Sequence, residues 1–205
     1  MFEFNPDRVA AAESAGWRAY YDRRWLKLVQ LIATLNQEQF HIPFPLSYVG
    51  AAHIARASRS WAPVDHDLAA VQTHLVRYYR MARRHSGLQF DPRRAAVAEL
   101  RYWVAHRRLI DNPDKSDFID AMTVLHSELF GVPAERMRES AEWRVAANNT
   151  VDQITSGRSS NVDADWRRIE EELTQCYRSI YHAVNGRAAP TRDPDHSEAS
   201  AQALK

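Results

Sequence analysis

Glu99 and His106 stand seven residues apart with Trp103 between them, so on a helix they align two turns apart along one face. A carboxylate and an imidazole in that relation can share a metal ion. Glu38-Gln39-Phe40-His41 is a second pair, at the E-x-x-H spacing that sets the two groups on adjacent turns. Glu142 offers a further carboxylate. Iron or manganese would suit such oxygen and imidazole donors. Glu38, His41, Glu99, His106 and Glu142 are therefore the expected ligands if the chain is a metal-dependent oxidoreductase.

The E-x-x-H sequence resembles half of the ligand set of ferritin-like di-iron carboxylate proteins, which add a second such motif and a glutamate from each of two other helices. No second E-x-x-H occurs in this chain. The spacing of Glu99 and His106 resembles the glutamate–histidine pair of haem-oxygenase-like di-iron oxidases, a seven-helix family of similar size. That resemblance implies a further glutamate and a late helix with histidine, aspartate and histidine. Here the last helical segment offers only His182, with Arg178 where an acid four residues earlier would stand.

Charge points to a different kind of chemistry. Residues 77–108 hold nine arginines against Asp91 and Glu99, while residues 109–156 hold nine acids against four basic side chains. Arg77, Arg80 and Arg84 follow one helical face, with Tyr78, Tyr79, Tyr102 and Trp103 as aromatic neighbours, and Arg101 lies on the next segment. Arg77, Tyr78, Arg80, Arg84 and Arg101 make up the expected contact surface of a binding or protein-interaction module, the first functional reading. Its partner would be an acidic protein surface, including the acidic segment of a second copy. Nucleic acid is a third reading, disfavoured because the whole chain carries a net charge of only +1.

The remaining reactive types fit into a core. Cys176 shares a face with Ile169, Leu173 and Ile180, which makes it a buried thiol. A single cysteine forms no intrachain disulfide, in keeping with the cytoplasm, and the first residues lack the basic and apolar parts of a secretory signal. His126 lies on the face of Ile119, Met122 and Leu129 and is expected to be neutral and hydrogen-bonded; His53 is ambiguous. Asn148 falls on the face of Ala141, Val145 and Val151, directing a polar group inward where it needs a partner. Neither glycine-rich nucleotide-binding loop motif is present.

The elements that must position these residues are helices. Only six glycines occur in 205 residues, and period-two alternation is scarce, so a sheet is not expected. With 45% hydrophobic and 26% charged residues the chain has globular composition. Asn5-Pro6, Asp91-Pro92, Asn112-Pro113 and Pro133 read as helix starts, and Gly87, Gly157 and Gly186 as stops. The punctuation predicts an all-α bundle of about seven helices in one domain over 1–186, followed by a disordered tail over 187–205. Its first helix runs without a break from Pro6 to about His41, and Leu28, Leu75, Leu100, Leu125 and Leu173 are expected in the core.

Overall fold

The expected first helix is two helices. In the computed structural model, which describes residues 1–186, α1 (Pro6–Tyr21) ends in a sharp turn and α2 (Trp25–Phe40) begins after three intervening residues. The Arg24 N–H donates to the Ala19 carbonyl and the Arg23 N–H to that of Tyr20, the paired bonds of a Schellman ending. Arg23 takes the left-handed position with φ 58°. Glycine normally fills that position, and its absence is why the apolar spacing reads straight through. Each helix is ~24 Å long rather than one rod of ~50 Å.

Six helices follow: α3 (Leu46–Trp61), α4 (Leu68–Ser86), α5 (Pro92–Leu109), α6 (Ser116–Phe130), α7 (Ala134–Thr155) and α8 (Val162–Val184). Among the described residues there is no strand. The expected starts at Pro6 and Pro92 hold, with Asn5 and Asp91 side chains accepting first-turn N–H groups. Gly87, Gly157 and Gly186 all take positive φ at or just past helix ends. At Asn112-Pro113 the helix waits until Ser116. Asn112 accepts from the Asp114 N–H and Asp114 from the Ser116 N–H, so the chain steps through a turn first.

Each helix packs against the next in sequence, and α8 packs back against α1, so the bundle closes into a ring. Short connections make successive helices antiparallel. The chain start helps to lock the seam. Phe2 and Asn185 exchange two hydrogen bonds, Phe4 packs edge-on to Tyr177 and Tyr181, and Arg178 grips Asp7 through two bonds of 2.9 and 3.0 Å. Leu75, Leu125 and Leu173 lie in the core as expected, whereas Leu28 and Leu100 are only partly buried. Among the described residues no helix is long and apolar enough to cross a membrane. The tail over 187–205 lies outside the described residues.

Candidate functional site

The ring encloses a polar centre built from five helices. Glu13 of α1 and Arg144 of α7 form a two-pronged ion pair, with N–O distances of 2.5 and 2.6 Å. Both side chains are largely buried, at 11% and 14% exposure. Tyr177 of α8 donates to the same carboxylate at 2.5 Å, and the guanidinium lies 4.9 Å from the Trp17 ring. Burial works against the Arg144 charge, but Glu13 outweighs it and holds the proton more firmly than usual. The Arg144 Nε is enclosed with no hydrogen-bond acceptor, so the pair is satisfied at the fork and not along the edge.

Around this pair the buried polar groups find one another. Tyr102 of α5 donates to Asn148 Oδ1 at 3.2 Å, and Asn148 Nδ2 donates to the Arg144 carbonyl. The inward turn of Asn148 anticipated from its helical face is thus satisfied within the protein. Glu99 accepts from the Tyr79 hydroxyl at 2.9 Å and from the Trp103 indole at 2.7 Å, one donor on each oxygen. Burial raises the Glu99 pKa above the ordinary carboxylate range, against the pull of Tyr79, Arg144 and Trp103. Tyr79 and Tyr177 are held protonated far above the usual phenol range, first by burial and then by the adjacent carboxylate.

The proposed metal ligands are scattered by this arrangement. His106 turns to Asp152 of α7, with Nε2 at 3.2 and 3.3 Å from the two oxygens, and its ring stacks on Phe118. Glu99 is committed to Tyr79 and Trp103. Glu38 pairs with Arg8 at 2.5 Å, and His41 ends α2 in a left-handed conformation, exposed to solvent. Glu142 is exposed beside Arg138, one turn away on the same helix. Among the described residues no three His, Cys, Asp or Glu side chains converge as a metal ion would need. The ligand set read from spacing is therefore not assembled, because seven-residue alignment fixes a helix face but not what the facing helix supplies.

Two buried reactive groups behave as their sequence positions imply. His126 is buried, its Nδ1 lies 2.8 Å from Ser140 Oγ, and that hydroxyl in turn reaches the Met137 carbonyl. With the serine proton spent on the carbonyl, the imidazole donates from Nδ1. Burial lowers its pKa to about 3, with Arg144 adding to the effect. Burial likewise pushes the Cys176 thiol up to about 12, which makes it inert.

The arginine surface divides. Arg77, Arg80, Arg84 and Arg101 are exposed, as expected. Tyr78 is not part of that surface: it is buried and donates to Asn36 Oδ1 at 3.1 Å. It follows Leu75 by three residues and so joins the inward stripe, more than a quarter turn away from each of the arginines. Tyr79 and Tyr102 are buried too, so the three tyrosines give the arginine row no stacking platform.

The opposed charge blocks are partly reconciled inside the fold. Arg94 pairs with Glu128, Arg108 with Asp117 at 2.6 Å, and Arg138 with Asp120 at 3.0 Å. These pairs consume the acids of α6, and none of them involves α4. Among the described residues no carboxylate pairs with Arg77, Arg80, Arg84 or Arg101. Neither α3 nor α4 contains a single Asp or Glu. Residues 46–109 hold eleven arginines against Asp65, Asp67, Asp91 and Glu99, and residues 110–186 hold fourteen acids against eight basic side chains. Because the ring runs in sequence order, this places an excess of positive charge on one flank and of negative charge on the other.

Compared with family models, curated proteins and solved structures, the chain matches none.

Proposed function

We propose that the chain is a binding module, placed in the cytoplasm, that engages an acidic protein surface through the exposed arginines of α4 and α5. The observation that carries this reading is the row Arg77, Arg80 and Arg84, exposed on a helix without acids while the acids of α6 are taken by other arginines. Unpaired like charges along one face repel one another, and an acidic partner relieves that repulsion while steering the encounter. The acidic flank built from residues 110–186 makes a second copy of the chain one such partner. The inward tyrosines weigh against nucleic acid, since a single-strand site needs exposed rings.

The test is association measured across rising salt. Sedimentation of the wild-type chain, alone and with an acidic polypeptide such as polyglutamate, is expected to show association that weakens as salt screens it. Reversing Arg80 and Arg84 to Glu abolishes it. Binding to mixed-sequence nucleic acid with a steep salt dependence, and none to the acidic polypeptide, would replace this reading with the third one.

A further inference from the structure

His53-Ile54-Ala55-Arg56 on α3 and His74-Leu75-Val76-Arg77 on α4 repeat one pattern, histidine followed three residues later by arginine. That spacing puts each pair on one face of its own helix. The two helices are antiparallel neighbours, and the histidines meet across their contact, Nδ1 to Nδ1 at 3.4 Å with the rings tilted by 35°. Both imidazoles are half-buried and both guanidinium groups are exposed. We propose that the two His-x-x-Arg pairs form one binding site for a phosphate dianion, either the free ion or the phosphomonoester of a small molecule.

Two histidines and two arginines meet here with no carboxylate paired to them among the described residues. One proton is enough for a contact between two Nδ1 atoms, and the second nitrogen must accept it, so the pair stands with at least one imidazole neutral. Burial lowers the proton affinity of each ring, His74 adds to this at His53, and Arg77 and Arg56 add to it at both. The helices alongside bring no relief. On α2, Glu38 is engaged by Arg8, and on α5, Glu99 is engaged by Tyr79 and Trp103. In the connection between α3 and α4, Asp67 caps α4 through the Ala70 N–H, and Asp65 lies outside both helices, nine positions from His74 and twelve from His53. A tetrahedral dianion entering between the two arginines supplies acceptors for both guanidinium forks and for imidazole N–H groups. It also reverses the local field, which raises the proton affinity of both rings, and a second proton at the contact parts the two Nδ1 atoms.

Imidazole-detected NMR of the full chain, titrated with inorganic phosphate and separately with glycerol phosphate at constant ionic strength, tests this. The expected result is a saturable shift of both imidazoles, with both pKa values rising by about one unit as the probe saturates the site. The probe that binds more tightly identifies the free ion or the ester as the ligand. Arg56→Gln and Arg77→Gln, both at exposed positions that leave the core intact, each weaken binding at least about tenfold. Arg80→Gln with Arg84→Gln leaves it unchanged, although the same pair disables the acidic-partner surface, so the two proposals fail separately. Absence of a saturable shift with either probe, or an equal shift in the Arg56→Gln/Arg77→Gln double variant, overturns the site.

Discussion

The ring holds two concentrations of charge that obey opposite rules. In the interior, Glu13 and Arg144 meet at two points, Tyr177 reinforces the carboxylate, and Glu99 takes one donor on each oxygen. On the outer face of α4, Arg77, Arg80 and Arg84 have no carboxylate among the described residues. A low-dielectric interior makes an unpaired charge very unfavourable, so the network there is nearly closed; water makes the same vacancy tolerable at the surface. The interior charges therefore report on how the ring is held together, and the exterior ones on what the ring meets.

The largest effect is expected where the interior pair is broken. Arg144→Met leaves the Glu13 carboxylate buried without its partner and is expected to destabilise the fold by ~3–5 kcal/mol. Adding Glu13→Leu should recover a substantial part of that loss, because no buried charge is then left alone. Urea denaturation of the wild type, the single and the double variant reads this directly. Additive losses would mean that the two side chains contribute independently and that the ion pair is incidental to closure.

Core truncation comes next. Leu173→Ala removes a fully buried side chain of α8 and is expected to cost ~2–5 kcal/mol. Leu100→Ala, on a partly buried residue, falls clearly below it in the same denaturation series.

Acid titrates the interior through His126. Its folded pKa is lowered to about 3 from an ordinary 6.5, so the unfolded chain takes up the proton first. Its contribution is whole above about pH 6.5 and is lost progressively as pH falls toward 3, at up to ~1.4 kcal/mol per pH unit. Melting measured from neutral to acid pH should show that slope, and His126→Gln, though less stable at neutral pH, should show a shallower one.

How far these two regions could be read in the sequence differs for a physical reason. Helical periodicity reports which way a side chain faces, and so the inward turn of Asn148 and His126, the burial of Cys176 and the outward row of arginines were all legible. It does not report what comes from the other side. Glu13 and Arg144 are separated by 131 positions and His106 and Asp152 by 46, distances over which no local spacing carries information. The apparent alignment of Glu99 with His106 survives as geometry, yet each is taken by a different partner. Tyr78 belongs to two patterns at once, next in sequence to an arginine and on the inward stripe of Leu75 and Ala82, and packing decided for the stripe. The α1–α2 break was hidden because Arg23 occupies a position whose usual marker is glycine.

That hidden break yields a smaller prediction. Arg23 at φ 58° carries the strain of a side chain in the left-handed region, and its side chain is exposed. Arg23→Gly is expected to stabilise the protein by ~0.5–1 kcal/mol, since relief of strain exceeds the added freedom of the unfolded chain. A loss in the same thermal assay would mean that the Arg23 side chain makes a contribution of its own to the turn.

The smallest effect on stability belongs to the outer face, and its smallness is the point. If Arg80 and Arg84 take no part in closing the ring, reversing both to Glu should change folding stability by no more than ~0.5 kcal/mol, since exposed side chains without partners contribute little. A modest gain is consistent with relieved repulsion from Arg77 and Arg83. The same double variant should lose its association with an acidic partner, as measured by sedimentation. That dissociation of effects sets it apart from Arg144, where the fold itself is destabilised. A double reversal that lowered stability as much as Arg144→Met would erase the distinction between the two regions and return the α4 arginines to the fold's internal electrostatics.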